Sequence, residues 1–231
     1  MFHTLGELNR CVVECAKCPR LVAFRESVPK RKAFEEEEYW RRPVPGFGDE
    51  KAWLLIVGLA PSAQGGNRTG RIFTGDGSAR FLFKMLHRAG FANQATSERV
   101  GDELRLTGCY ITAVVKCVPP DNRPTSQEED NCSVYLWNEI HLLKNIKCVL
   151  VLGKIAWKGY EHYVKRHGGS VQATFKHGGH CKVEGFPDVY MSYHPSPQNT
   201  HTGVLTETMF SHLLDKIVSK CHSCYEASIH K

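Results

Sequence analysis

Four cysteines, one aspartate and one histidine stand in settings that suit chemistry. Cys15 and Cys18 form a CxxC unit followed by Pro19, and Cys117 and Cys132 flank a loop that begins Val118-Pro119-Pro120. Two cysteines about one helical turn apart can aim their thiolates at a common centre, and two distant ones can complete a four-thiolate set. Zinc and a [4Fe–4S] cluster both accept such a set. The spacing lacks the paired CxxC units of a compact zinc ribbon, which favours the cluster. The chain has 10 cysteines but no basic segment followed by a long apolar one near Met1, so a cytoplasmic location is expected and a disulfide framework is not. Cys109 and Cys148 sit in apolar runs and read as buried thiols, and Cys11 and Cys181 have no paired partner. Cys221 and Cys224 form a second CxxC at the C-terminal end, without two further ligands nearby.

Two loops carry the remaining chemistry. The first runs from Gly58 to Asp76 and holds five glycines, which let backbone approach a ligand closely. Within it Arg68 and Arg71 are candidate anion contacts, Phe73 offers a flat ring, and Asp76 places a carboxylate ahead of a helix. A P-loop is the competing reading, but its Lys-Ser/Thr ending is absent, and so is a GxGxxG spacing. The second loop, His194 to Gly203, is stiffened by Pro195 and Pro197. A lone histidine is more often structural than catalytic; the position of His194 just after a strand favours function.

The elements that must position these loops alternate. Trp53 to Gly58 reads as a buried strand, Ser78 to Ala89 as a helix with Phe81, Leu82, Met85 and Leu86 at helical spacing, and Cys109 to Val115 as a second strand. Thr125 opens a helix to about Leu143 with a cap-like start. Cys148 to Gly153 is a further strand, followed by a helix to about Val164. Val189 to Tyr193 is the last strand, and Thr206 to Val218 the last helix. Such alternation implies a single three-layer α/β domain with a mostly parallel central sheet, its site beyond the carboxyl ends of the strands. Both loops then lie on one edge. Residues 1–48 read as an appended helical segment carrying cluster ligands, with helices over Leu8 to Val22 and Ala33 to Arg42 and a Pro/Gly linker after them. Residues 49–220 form the α/β domain, and residues 221–231 a tail.

The formal net charge of +6 and the sequence pI of 8.8 suit a polyanionic partner without identifying one. No apolar run approaches the roughly 20 residues that span a bilayer, so no membrane association is expected.

These motifs resemble a known family. Gly58-Leu59-Ala60-Pro61, Asn67-Arg68-Thr69-Gly70-Arg71 and Phe73-Thr74-Gly75-Asp76 are similar to the first signature of family-5 (type B) uracil-DNA glycosylases, and His194-Pro195-Ser196-Pro197 with Asn199 and Thr202-Gly203 to the second. Cys15, Cys18, Cys117 and Cys132 match that family's iron–sulfur ligands, and Pro119-Pro120 with Asn122-Arg123-Pro124-Thr125 matches the loop between them. The likeness runs from about Cys15 to Phe210. Ser62 stands where an alanine is usual, and Gln64 where a histidine is usual.

The resemblance implies a monofunctional glycosylase that flips a uracil nucleotide out of DNA, because a stacked base cannot be reached. Phe73 would stack on the extruded ring and the loop from His194 to Asn199 would fill the gap. Asp76 would stabilise the oxocarbenium-like sugar, by orienting water or by its charge, and His194 would hydrogen-bond a uracil carbonyl oxygen. Gly58 and Ala60 would border the base, Arg68, Arg71, Arg123, Ser196 and Asn199 the DNA. Related families carry a side-chain amide or carboxylate at the positions of Ala60 or Ala113; here recognition should be looser, with Asn122 as a substitute amide and hypoxanthine and xanthine as further substrates. The enzyme is expected to act as a monomer. The rival readings are a non-catalytic iron–sulfur nucleic-acid-binding protein of the same fold, and a small-nucleotide-binding protein.

Overall fold

The structure, a computed structural model, describes residues 2–222. Cys224 and most of the expected tail lie outside them. The helices are α1 (Leu5–Val13), α2 (Pro19–Ser27), α3 (Gly66–Thr69), α4 (Gly77–Arg88), α5 (Ser126–Leu142), α6 (Lys154–Arg166), α7 (Pro197–His201) and α8 (Glu207–Ile217). The strands are β1 (Phe47–Gly48), β2 (Leu54–Gly58), β3 (Cys109–Ala113), β4 (Cys148–Leu152), β5 (His180–Cys181) and β6 (Asp188–Ser192).

The six strands lie in the order β1-β3-β2-β4-β6-β5. Three neighbouring pairs, β3/β2, β2/β4 and β4/β6, are parallel, and both edge pairs are antiparallel. The expected mostly parallel sheet is therefore corrected to a mixed one. Its edge strands are two residues each, too short to leave a period-two signature in sequence.

Alternation along the strands sorts the core into two layers. Leu55, Val57, Val149, Val151, Val189 and Met191 face α1, α5 and α6, meeting Leu8, Val12, Leu136 and Tyr160. Leu54, Ile56, Leu150, Leu152 and Tyr190 face α4 and α8, meeting Leu82, Leu86, Phe210 and Leu214. Burial of each such side chain contributes roughly 1.5–3 kcal/mol, so both helical layers are held firmly against the sheet. The strand order reverses beside β2: β3 lies to one side and β4 to the other, and a ligand site is expected outside the carboxyl ends at such a switch point.

The N-terminal segment departs most from expectation. The stretch from Leu8 to Val22 is not one helix: α1 stops at Val13, and α2 starts at Pro19, where a missing N–H costs nothing. The expected helix over Ala33 to Arg42 is absent. A 3₁₀ turn covers only Lys32–Phe34, and the chain then runs extended along the first site loop. Longer-range partners outbid the local helix signal: the backbone N–H groups of Trp40 and Arg41 donate to the carbonyls of Arg68 and Asn67, and the Glu37 carboxylate takes the buried Arg68 guanidinium. Of the expected linker, Phe47–Gly48 joins the sheet as β1. No helix of the described residues is long and apolar enough to cross a membrane.

Candidate active site

Asp76 is set by the start of α4. It caps that helix, its Oδ1 accepting the Ala79 N–H at 2.8 Å, an arrangement worth about 1 kcal/mol that also puts its charge at the favourable end of the helix dipole. Its Oδ2 accepts the hydroxyl hydrogen of Ser62. The carboxylate is thus held through both oxygens.

Phe73 sits three residues earlier in left-handed backbone (φ 49°). A bulky side chain seldom adopts that conformation, and holding it there costs on the order of 1–3 kcal/mol. The strained turn aims the ring at the end of β2, where a Cβ on Gly58 would lie 2.8 Å from it. Gly58 is glycine so that this ring can fit. His194 also lies beside the ring: the two centroids are 5.9 Å apart and the planes 28° from parallel.

His194 follows β6 and is fixed from behind. The Asn199 side-chain amide donates to its carbonyl at 2.8 Å, and the Ser196 hydroxyl caps α7 by accepting the Asn199 N–H at 3.3 Å. The second loop, expected as a proline-stiffened probe, thus includes a short helix with Pro197 in its first turn. Pro197 also lies against the start of α4, for a Cβ on Gly77 would come within 2.5 Å of it. Burial pushes the His194 imidazole below its ordinary pKa, against the opposing pull of the Asp76 charge. Neutral imidazole is therefore favoured near pH 7, as a hydrogen-bond donor that places no cation beside the site.

The structure brings together Gly58, Phe73, Asp76 and His194, with Ser196 and Asn199 behind the histidine. Ala60 follows β2 on the same edge, half-buried against the α5/α6 layer. Asn122 is exposed in a 3₁₀ turn beyond β3, with Asp121 and Asn122 both left-handed (φ 52° and 55°). Arg123 is exposed beside it and gives its carbonyl to Arg20.

The two motif arginines are turned inward. Neither presents a free guanidinium to solvent. Arg68 is 5% exposed; it donates to the Gln64 carbonyl, the Gly75 carbonyl and the Glu37 carboxylate, and lies 3.9 Å over the Phe34 ring. Arg71 forms a fork with Asp102 at 2.9 and 2.7 Å and also holds Thr74 and Ser97. Burial raises the Asp102 carboxyl, but the Arg71 guanidinium and the Glu98 and Arg99 N–H groups outweigh it and hold the group down to about 2. Both arginines brace the loop that carries Phe73 and Asp76. Their partners were not visible in sequence, because Glu37 and Asp102 lie in unrelated segments without a motif. Gln64 is likewise turned away: its amide takes the Tyr39 hydroxyl and donates to the Pro29 carbonyl.

A second constellation stands where α2, the end of β3 and α5 meet. Cys15, Cys18, Cys117 and Cys132 line one pocket with Arg25, Asn131 and Tyr135. N–H groups point at three of the sulfurs: Arg25 at Cys117 (3.2 Å), the Lys116 backbone at Cys132 (3.2 Å) and Asn131 at Cys18 (3.6 Å). Among the described residues no three His, Cys, Asp or Glu side chains are grouped closely enough to hold a single metal ion. Cys221, by contrast, is buried beside Cys148 and Tyr190, away from these four.

Comparison with known proteins agrees with this geometry. The profile of the uracil DNA glycosylase superfamily matches residues 45–218. The type-5 uracil-DNA glycosylase of Thermus thermophilus is 48% identical over 87% of this chain and 90% of its own length. That of Pyrobaculum aerophilum is 45% identical over 90% and 88%, whereas a type-4 enzyme of the same organism is 30% identical over 83% of each. With two loops gathered at one sheet edge and a match spanning nearly the whole fold, the chain belongs to the uracil DNA glycosylase superfamily.

Proposed function

We propose that the chain hydrolyses the N-glycosidic bond of uracil in DNA, leaving an abasic site for base excision repair. The observation that carries this reading is the meeting of Phe73, Asp76 and His194, drawn from the ends of β2 and β6 into one group. The relatives named type-5 uracil-DNA glycosylases supply the substrate.

The uracil nucleotide must leave the stack before it can react. Its ring would lie against Phe73, which the absent side chain of Gly58 lets approach β2, and beside Ala60. As the glycosidic bond lengthens, positive charge grows on the sugar and negative charge on the departing base. Asp76 stabilises the first, its carboxylate already oriented by Ala79 and Ser62, so little reorganisation is needed. His194 donates a hydrogen bond to a uracil carbonyl oxygen, and its displaced pKa keeps it neutral for that task. Water then completes the hydrolysis. Lys116, close to the end of β3, is buried and paired with Glu139 at 2.8 Å, so it is not offered as a Schiff-base nucleophile. A monofunctional enzyme follows: borohydride should trap no covalent DNA adduct.

The alanines at positions 60 and 113 offer no side-chain hydrogen bond to read uracil, which supports a substrate range that includes hypoxanthine and xanthine. Exposed Arg123 remains a phosphate contact in this reading, as do the Ser196–Asn199 backbone turns.

The four-cysteine pocket suits a [4Fe–4S] cluster: the donor set is all sulfur, and the N–H groups around it complement negative sulfur. Cys15, Cys18, Cys117 and Cys132 would hold the cluster, which would supply a rigid cross-link between the N-terminal segment and the Cys117–Cys132 loop. We place the enzyme in the cytoplasm as a monomer.

The test is release of free uracil from an end-labelled uracil-containing duplex. Asp76→Ala and His194→Ala should each reduce it by roughly a hundredfold or more. Duplexes with inosine or xanthosine test the wider range; a strict uracil preference would remove that part of the proposal.

A further inference from the structure

We infer that Ser62 is a positioning residue for the Asp76 carboxylate, fixing the oxygen that is left to serve the reaction. This rests on the glycosylase reading above, and specifically on Asp76 as the group that faces the sugar.

Asp76 has two oxygens with different duties. Oδ1 is committed to the cap of α4 through Ala79. That leaves Oδ2 for substrate or water, and Oδ2 is the atom to which Ser62 donates. A carboxylate anchored through one oxygen can still rotate about its side-chain bonds, and the second hydrogen bond removes that freedom. Each carboxylate oxygen accepts more than one hydrogen bond, so Oδ2 keeps a lone pair for the reaction while Ser62 occupies another.

The surrounding backbone is shaped for this contact. A Cβ on Gly65 would lie 2.3 Å from Ser62 Oγ and 2.3 Å from Asp76 Oδ2, so the absent side chain at position 65 is what allows the two groups to meet. Ser62 itself is held by its carbonyl, which accepts the Asn67 N–H at 3.0 Å, and that links it to the loop braced by Arg68 and Arg71. The cap of α4 is made through Oδ1, not through the oxygen that Ser62 holds. Among the described residues the Ser62 hydroxyl has one hydrogen-bond partner, the Asp76 carboxylate.

The experiment is steady-state and single-turnover kinetics on a uracil-containing duplex with the wild-type chain, Ser62→Ala, Ser62→Thr and Asp76→Asn, together with melting temperatures. Loss of one hydrogen bond to a charged group corresponds to a change of roughly tenfold or somewhat more. Ser62→Ala should lower kcat by about that factor with KM and melting temperature unchanged, and Ser62→Thr, which keeps the hydroxyl, should restore most of the loss. Wild-type kcat in Ser62→Ala, with Asp76→Asn inactive, overturns the inference and leaves the glycosylase reading standing. Wild-type kcat in Asp76→Asn overturns the reading itself. A fall in kcat that Ser62→Thr does not restore, accompanied by a lower melting temperature, makes Ser62 structural and also overturns the inference.

Discussion

Replacing Arg71 by Gln should cost stability without changing how strongly DNA binding depends on salt. The magnitude follows from its partners. Asp102 is held at about 2 against an ordinary value of 3.8, which corresponds to roughly 2 kcal/mol at neutral pH, shared between the Arg71 guanidinium and the Glu98 and Arg99 N–H groups that the variant keeps. The variant also loses the hydrogen bonds to Thr74 and Ser97, about 1 kcal/mol each, part of which Gln recovers. A total near 2 kcal/mol should lower the melting temperature by roughly 4–8 °C. Because a depressed carboxyl stabilises the fold fully above its unfolded value of 3.8 and loses that effect as pH falls from there through about 2, the gap between wild type and variant should stay constant from pH 8 to about pH 5. Urea unfolding measures that gap, and DNA binding titrated against salt measures the slope. A phosphate contact at Arg71 would flatten the slope by about 0.9 in log–log terms. Unchanged stability with a flattened slope would refute the bracing role and restore Arg71 to the DNA surface.

Three further outcomes are expected. His194 has its pKa depressed by burial, so the unfolded chain takes up its proton first and wild type should lose stability as pH falls below about 6.5; His194→Gln should lack that part of the loss, measured by unfolding at pH 7.5 and 5.0. Gly58→Ala places a methyl 2.8 Å from the Phe73 ring and should displace it, reducing uracil release roughly tenfold or more while a non-specific duplex binds as before. Purified wild-type protein should be brown, and Cys117→Ser should lose both the colour and the bound iron; a colourless wild type containing zinc would replace the cluster by a single ion.

The grouping of Phe73, Asp76 and His194 was legible in sequence because its members lie in loops that follow strands, within contiguous motifs. Phe73 and Asp76 follow one apolar run, His194 follows another, and alternation of strands and helices places both ends on one edge. The helices were legible for a similar reason: Thr125 and Glu128 form a full capping box at the start of α5, and the apolar spacing of α4 marks its buried face. What stayed hidden depends on partners distant in the chain. The Glu35–Glu38 run reads as a helix until Arg68 claims Glu37 and Trp40 pairs with the site loop. Arg68 and Arg71 read as anion contacts until Glu37 and Asp102 are found beside them. Ser62 was visible only as a departure from a pattern; its purpose appears once Asp76 and the space left by Gly65 are seen together. β1 and β5 are too short for any periodicity to announce.

The most direct test of the central claim is single-turnover release of uracil from a duplex by wild type, Asp76→Asn and His194→Ala, with binding of an undamaged duplex followed alongside. Wild type should release the base, and each variant should be slower by roughly a hundredfold or more while still binding DNA. A wild-type protein that binds the duplex but frees no base, or an Asp76→Asn variant as fast as wild type, would contradict the account.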